Sequence, residues 1–400
     1  MKRFIFILLA ILVVFGAVST AVSLNQKPEE TAAPAIAPTP ETAAQTEPAA
    51  SAGDRRLDYD ALRALHGADE TVMSLGGESV SWAEYCDWLS ATGRQIEDYF
   101  QQMAAYYGMS ADWGGSVGDD SGMNFAQYAV HETNESLSSV LAYRCFAAEK
   151  QLSLSEEEQE QLTDEALAKS LLGEDATVEA FKAALEEEGF GLETYRRIRE
   201  TNQLLEKYYD ETYGAEGEKV SDEDVLAYLE EEGFVTAAQI LLRTIDPNTG
   251  EKLDEAVVAE KLLRAEELTE ELRAVKKPEK REARFLKLKE KFCEDGGKAA
   301  YPDGYTYTPG TLLEPLEKAA AALEPYEVSD PVETYYGYHV IMRLPLRADC
   351  LLYSAQGMPV SARAEVAAVG MSKELDDFVE ANPVVYADGI EDLDLMKFIK

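Results

Sequence analysis

Apolar residues recur at three- and four-residue spacing through most of the stretch from Leu57 to Phe234, a pattern that predicts a mainly helical region. Ser155-Glu156-Glu157-Glu158 opens one helix as a capping box: the serine hydroxyl and the third-position glutamate satisfy first-turn N–H groups ahead of the Leu162 and Ala166 stripe. Ser221-Asp222-Glu223-Asp224 opens another before Val225, Leu226 and Leu229. The hexapeptide Leu-Glu-Glu-Glu-Gly-Phe occurs at Leu185–Phe190 and again at Leu229–Phe234. Each copy predicts a helix end, because glycine accepts the left-handed conformation and the phenylalanine then folds back on the last turn. The period does not continue, so this is a repeated stop signal and not a solenoid.

After Phe234 the pattern changes. Ala237 to Arg243 alternates, with Ala238, Ile240 and Leu242 on one face and Gln239, Leu241 and Arg243 on the other, which predicts a strand. A turn at Asp246-Pro247-Asn248-Thr249-Gly250 leads to a long helix over about Asp254 to Val275, broken by Pro278, and a second helix to about Phe292. A glycine- and tyrosine-rich loop follows, with a short strand near Tyr307, a short helix carrying Leu316, Ala319 and Leu323, a turn at Val328–Val332, and a strand over Tyr338 to Leu344. This order describes a compact α+β domain with a small antiparallel sheet flanked by helices, set within a mostly helical chain. In the tail the pattern predicts a helix near Ser372–Glu380 and a strand at Val384-Val385-Tyr386.

At the start, Lys2 and Arg3 precede an uncharged apolar run from Phe4 to Leu24. Residues 1–24 are expected to enter a membrane. The run suits a spanning helix of roughly 20 residues, and Ser19-Thr20-Ala21 also suits a signal-peptidase site, so anchor and cleaved signal both stay open. No cysteine follows the run, which argues against a lipoprotein attachment. The positive start places the remainder on the outer side. Residues 25–56 are rich in Ala, Pro, Thr, Glu and Gln and read as a disordered linker.

Composition narrows the functional classes. With 46% hydrophobic and 9% aromatic residues the chain can bury sizeable cores. Its 37 Lys and Arg against 76 Asp and Glu give a net charge of -39, which repels phosphate backbones, so nucleic acid is not expected as a partner. Residues 235–346 carry a net charge near -5, so the helical remainder is the acidic part. Four cysteines at 86, 145, 293 and 350, no C-x-x-C and three histidines do not supply a structural zinc site, and their spacing favours no disulfide. Gly114-Gly115-Ser116-Val117-Gly118 satisfies a serine-hydrolase string but lacks the strand and helix that would present the hydroxyl. The Asp246 turn has Val257 where a calcium loop needs a bidentate glutamate. No P-loop, H-E-x-x-H or G-x-G-x-x-G is present, and no cofactor or metal is expected.

The most specific stretch runs from Phe292 to Leu344. Phe292-Cys293-Glu294-Asp295-Gly296-Gly297, Pro309-Gly310-Thr311-Leu312-Leu313-Glu314-Pro315-Leu316, Glu327–Thr334 and Gly337-Tyr338-His339-Val340-Ile341 resemble, in order and spacing, the parvulin (rotamase, PpiC-like) domain. The wider plan resembles the extracytoplasmic foldases of the PrsA and SurA type. That resemblance implies a helical chaperone-like domain over residues 57–234, a peptidyl-prolyl isomerase domain over 235–346, and a C-terminal segment, 347–400, that packs on the chaperone-like domain. It implies unfolded or proline-containing exported polypeptides as partners and a place in the bacterial cell envelope, anchored or secreted. A homodimer is compatible with it. Carried over by position, the proline pocket falls on Tyr307, Leu312 and Leu316, and the catalytic positions on Asp295, His339, Gln239 and Thr334. Each also fits a structural role: Leu312 and Leu316 as core, Asp295 as a loop cap, His339 as a buried core histidine.

Two departures stand out. The family's first-strand histidine is replaced by Gln239, which can donate and accept but cannot form an imidazole pair. The family's Gly-Asp-Leu-Gly is replaced by Pro302-Asp303-Gly304-Tyr305. The implied functions are therefore a prolyl isomerase that assists folding, or a catalytically weak holdase on the same fold whose arm aromatics (Tyr99, Phe100, Tyr106, Tyr107, Tyr208, Tyr209) contact clients.

Overall fold

The computed structural model describes residues 55–107, 111–118, 121–353 and 358–400, so the apolar start and nearly all of the linker lie outside the described residues. The fold is α+β in two compact units. One contains the described residues up to Tyr208 together with Ser372–Lys400, and the other is Tyr209–Met371.

The first unit begins with α1 (Tyr59–Arg63), a hairpin of β1 (Thr71–Leu75) and β2 (Glu78–Ser81), and the long helices α2 (Trp82–Tyr107) and α3 (Phe125–Glu149). Four helices follow: α4 (Glu156–Glu160), α5 (Asp164–Leu172), α6 (Val178–Glu188) and α7 (Leu192–Thr212). The hairpin lies where periodicity predicts helix. Gly76-Gly77 explains it, since Gly76 takes φ 56° and closes a two-residue turn with Leu75 opposite Glu78. Trp82, Tyr85, Trp88, Phe100, Trp113 and Phe181 centre the core. Within it, Arg144 donates to Glu84 at 2.5 Å and Arg197 donates to the same carboxylate at 2.6 Å. Of the aromatics proposed as client contacts, Phe100 is buried, Tyr99, Tyr208 and Tyr209 are partly buried, and Tyr106 is exposed, while the Tyr107 side chain lies outside the described residues. Tyr208 packs edge-on against Phe146 with centroids 5.1 Å apart, so helix packing claims that ring. Cys86 and Cys145 are unpaired, and the Cys145 thiol donates to the Leu75 carbonyl at 2.8 Å.

The predicted stop signals are both present. Phe190 N–H donates to Leu185 O and Phe234 N–H to Leu229 O, each at 2.8 Å, across Gly189 (φ 93°) and Gly233 (φ 72°). Ser155 and Glu158 form the reciprocal capping box at the start of α4.

The second unit contains α8 (Asp222–Glu231), β3 (Val235–Arg243), α9 (Glu255–Ala274), α10 (Pro278–Phe292), β4 (Tyr305–Tyr307) and α11 (Glu314–Ala321). It continues through β5 (Val332–Thr334), β6 (Gly337–Leu344), β7 (Leu351–Leu352), β8 (Val360–Ser361) and the start of α12 (Ala362–Ala381). Its sheet order is β5-β6-β3-β4-β7-β8, antiparallel except for β4 beside β7. β6 pairs with β3 over its whole length, from Leu344 opposite Thr236 to Gly337 opposite Arg243. One sheet face, with Ala238, Ile240, Leu242, Val340, Met342 and Leu344, is buried by Leu268 and Leu272 of α9 and Phe285 and Leu288 of α10. Proline sits at the first turn of α10, where its missing N–H costs no helical bond. The opposite face carries Ala237 and Ile341 under α11.

The unit boundaries differ from the sequence boundaries at 234 and 346. Val225 and Leu229 of α8 bury together with Ala348, Leu352 and Ala362, so residues flanking the rotamase-like stretch form one core with each other. This contact joins segments more than 100 residues apart, and helical periodicity carries no trace of it. The rest of the tail returns to the first unit, where β9 (Val385–Tyr386) adds to β1, with Met73 opposite Tyr386. Phe378 there meets Phe146 edge-on at 5.5 Å.

Candidate active site

The alternation of β3 and β6 puts Gln239 and His339 on the same sheet face as Ala237 and Ile341. In the ladder Gln239 lies opposite Ile341, and Leu241 opposite His339, so the two polar side chains are diagonal neighbours. His339 is 2% exposed. Its Nδ1 lies 2.7 Å from Gln239 Oε1, and its Nε2 lies 2.8 Å from the Thr334 hydroxyl at the end of β5. Gln239 Nε2 donates to Asp295 Oδ2 at 2.8 Å. Gly337, between Thr334 and His339, adopts φ 144° with no room for a Cβ against Leu242 O and Thr244 N, which fixes the tight β5–β6 turn.

This chain of bonds has a direction. A carboxylate accepts and does not donate, so Gln239 must present its NH2 to Asp295 and its oxygen to His339. His339 then carries its proton on Nδ1, and Nε2 accepts from Thr334. Burial pulls the imidazole down to about 4, with Asp295 opposing the shift and Arg243 adding to it, so the ring is neutral at physiological pH.

Asp295 also caps the short turn at Gly296–Ala299, accepting from Gly297 N–H at 3.0 Å through Oδ1. Its loop-cap and cluster roles therefore coexist in one side chain. A third donor is the Tyr305 hydroxyl, 2.6 Å from Oδ2. The same Tyr305 ring belongs to the apolar group formed by Tyr301, Tyr307, Leu316, Ala320 and Ile341, with Leu312 packed at its edge. Tyr307 and Leu316 are buried, and Leu312 is half-buried. Burial, and then the nearby Glu317 carboxylate, push the Tyr307 phenol up to about 12.

The structure thus brings Asp295, Gln239, His339 and Thr334 into one hydrogen-bonded chain and Tyr307, Leu312 and Leu316 into one apolar group, with Tyr305 touching both. Three contributors escape sequence reasoning. Tyr305 falls in the stretch that departs from the family pattern. Glu317 accepts from Gly310 N–H at 2.9 Å and Leu312 N–H at 2.7 Å, which holds the loop bearing Leu312 against α11. Lys289 is buried and donates to the carbonyls of Tyr301 and Pro302 at 2.7 and 2.8 Å, fastening the segment that leads into β4. A lysine on a helix otherwise rich in exposed lysines gives no sequence signal of this. Cys293 is buried, and its sulfur lies 3.3 Å from Leu241 N, a packed position. Among the described residues no group of three or more His, Cys, Asp or Glu side chains could hold a metal ion.

The family comparison falls on this same segment. Residues 250–344 match the family described as the PPIC-type PPIASE (rotamase) domain. They are a parvulin-type rotamase domain. Beyond it, Foldase protein PrsA 3 of Bacillus cereus is 27% identical over 180 residues, 38% of this chain and 60% of that relative. Foldase protein PrsA of Geobacillus kaustophilus is 43% identical over 58 residues, 14% of this chain and 21% of that relative. The chain thus matches 60% or less of the length of these curated relatives. The crystal structure of PrsA from Bacillus subtilis aligns with 83% of this chain and 93% of its own, at 19% identity and a TM-score of 0.24. The match opens on the turn after β3, so it takes in Asp295, Thr334 and His339 but not Gln239.

Proposed function

We propose that this chain is an extracytoplasmic peptidyl-prolyl cis–trans isomerase and foldase that assists the folding of exported polypeptides. The observation that carries the reading is the adjacency of a polar chain and an apolar group through one residue: Tyr305 bonds to Asp295 and packs with Tyr307 and Leu316.

The chemistry needs no nucleophile. Rotation about a peptide bond meets a barrier of roughly 18–20 kcal/mol, and X–Pro bonds exchange in tens to hundreds of seconds, slow enough to limit folding. The barrier comes from the resonance form that places negative charge on the carbonyl oxygen and double-bond character in C–N. With a proline ring seated against Tyr307, Leu312 and Leu316, the Asp295 carboxylate near that oxygen opposes this form and favours the twisted bond. Gln239, His339 and Thr334 keep the carboxylate's surroundings fixed in the neutral, directional arrangement described above.

The apolar run Phe4–Leu24 supports export and either anchoring in, or release from, the membrane. No helix among the described residues is long and apolar enough to cross a membrane. Light scattering of the exported part reads whether it pairs as a homodimer. Refolding of a client whose slow phase is prolyl isomerisation tests the function. The isomerase reading predicts acceleration of that phase at substoichiometric chain. Suppressed aggregation with an unchanged slow phase would instead make the chain a holdase.

A further inference from the structure

The hydrogen-bonded chain has an outermost donor that the reaction as described does not use. We propose that Tyr305 is a positioning residue of the rotamase site: its hydroxyl holds the Asp295 carboxylate so that the Gln239 amide can face only one way and His339 keeps its single ring proton on Nδ1.

Three observations carry this. The Tyr305 hydroxyl and Gln239 Nε2 both donate to the same oxygen, Asp295 Oδ2, at 2.6 and 2.8 Å, while Gly297 N–H takes Oδ1. The phenol is locked as a donor. It is 7% exposed, packs against Tyr301 and Tyr353 at 4.8 and 5.6 Å, and burial followed by the Asp295 bond raises its pKa. Finally, space is reserved for this contact. A Cβ built on Gly297, a residue without positive φ, would overlap the Tyr305 hydroxyl, so glycine is required there by the tyrosine and not by the backbone.

The consequence follows from donor counting. Without the phenol, Asp295 keeps only the Gly297 N–H and the Gln239 amide, so the carboxylate can turn away and leave Gln239 without its fixed acceptor. A flipped amide points NH2 at His339 Nδ1 and moves the ring proton to Nε2, where it no longer accepts from Thr334. Only the rate measurement below rests on the isomerase reading; the tautomer measurement does not.

The test uses the exported part of the chain, labelled with ¹⁵N-histidine, with the His339 signal assigned by its loss in His339→Gln. At neutral pH the unmodified protein is expected to show His339 protonated on Nδ1. Tyr305→Phe, which keeps the ring packing, and Gly297→Ala, which keeps the tyrosine but displaces its hydroxyl, are each expected to give a mixture of tautomers. Each is also expected to lower kcat/KM for an X–Pro peptide by roughly tenfold, with KM changed much less. A single Nδ1–H tautomer in both variants overturns the inference, whatever the rate does. Protonation on Nε2 in the unmodified protein overturns it without any variant. If the tautomer shifts in the variants but the unmodified protein catalyses no exchange, the positioning role stands and the isomerase reading falls.

Discussion

Gln239 Oε1 lies 2.7 Å from His339 Nδ1, a contact between adjacent strands made by residues 100 positions apart. A glutamine thus does what a paired imidazole would do toward His339, and it uses its other end on Asp295. Gln239→Ala strips a partly buried acceptor from His339 and a donor from Asp295. It should cost about 1–3 kcal/mol in denaturant unfolding and at least tenfold in kcat/KM. A variant with unaltered midpoint and unaltered rate would mean the bridge is incidental.

The buried imidazole fixes a pH dependence. The folded-state value of about 4 lies below the ordinary 6.5, so between those pH values the unfolded chain binds more protons than the folded one. The contribution of His339 to stability is complete above about pH 6.5 and is lost as pH falls toward 4, on the order of 3 kcal/mol in all. Urea unfolding from pH 7.5 to 4.5 should show this decline, and His339→Gln should reduce its slope. Catalysis should accordingly stay level down to about pH 5; a fall centred near 6.5 would show that the ring titrates as an exposed histidine does.

The two leucines should separate packing from binding. Leu316 is a buried residue of α11, so Leu316→Ala should destabilise the domain by about 2–4 kcal/mol as well as slowing exchange. Leu312 is half-buried, and Leu312→Ala should raise KM at a stability cost below about 1 kcal/mol. Glu317→Ala releases the loop that carries Leu312 and should resemble Leu312→Ala in kinetics. Equal stability losses at both leucines would assign Leu312 to the core instead.

In the other unit, Glu84 is buried between Arg144 and Arg197. Arg144→Met leaves that carboxylate one partner short and should lower stability by about 3 kcal/mol, read from the thermal midpoint. An unchanged midpoint would mean that Arg197 alone neutralises it.

The rotamase domain was legible because its signals are local. Alternation gives β3 and β6, the Asp246–Gly250 turn and Pro278 mark off α9 and α10, and the order of motifs gives the site candidates. The hairpin of β1 and β2 was not read, although Gly76-Gly77 between two short alternating runs is the signal for it. Tyr305 was missed because its partner depends on a loop conformation that no periodicity encodes. Gly297 lies in the Gly296–Ala299 turn without a positive φ, so the need for glycine there shows only once the Tyr305 hydroxyl is in place. The small core of Val225, Leu229 and Ala362 was invisible for the same reason, since it depends on which distant segments meet.

The most direct measurement is cis–trans exchange of a proline-containing peptide followed by NMR with the chain present in catalytic amount. The account predicts exchange well above the spontaneous rate, abolished when Leu316→Ala and Asp295→Ala are combined. Exchange that stays at the spontaneous rate even with the chain in excess over peptide would contradict it.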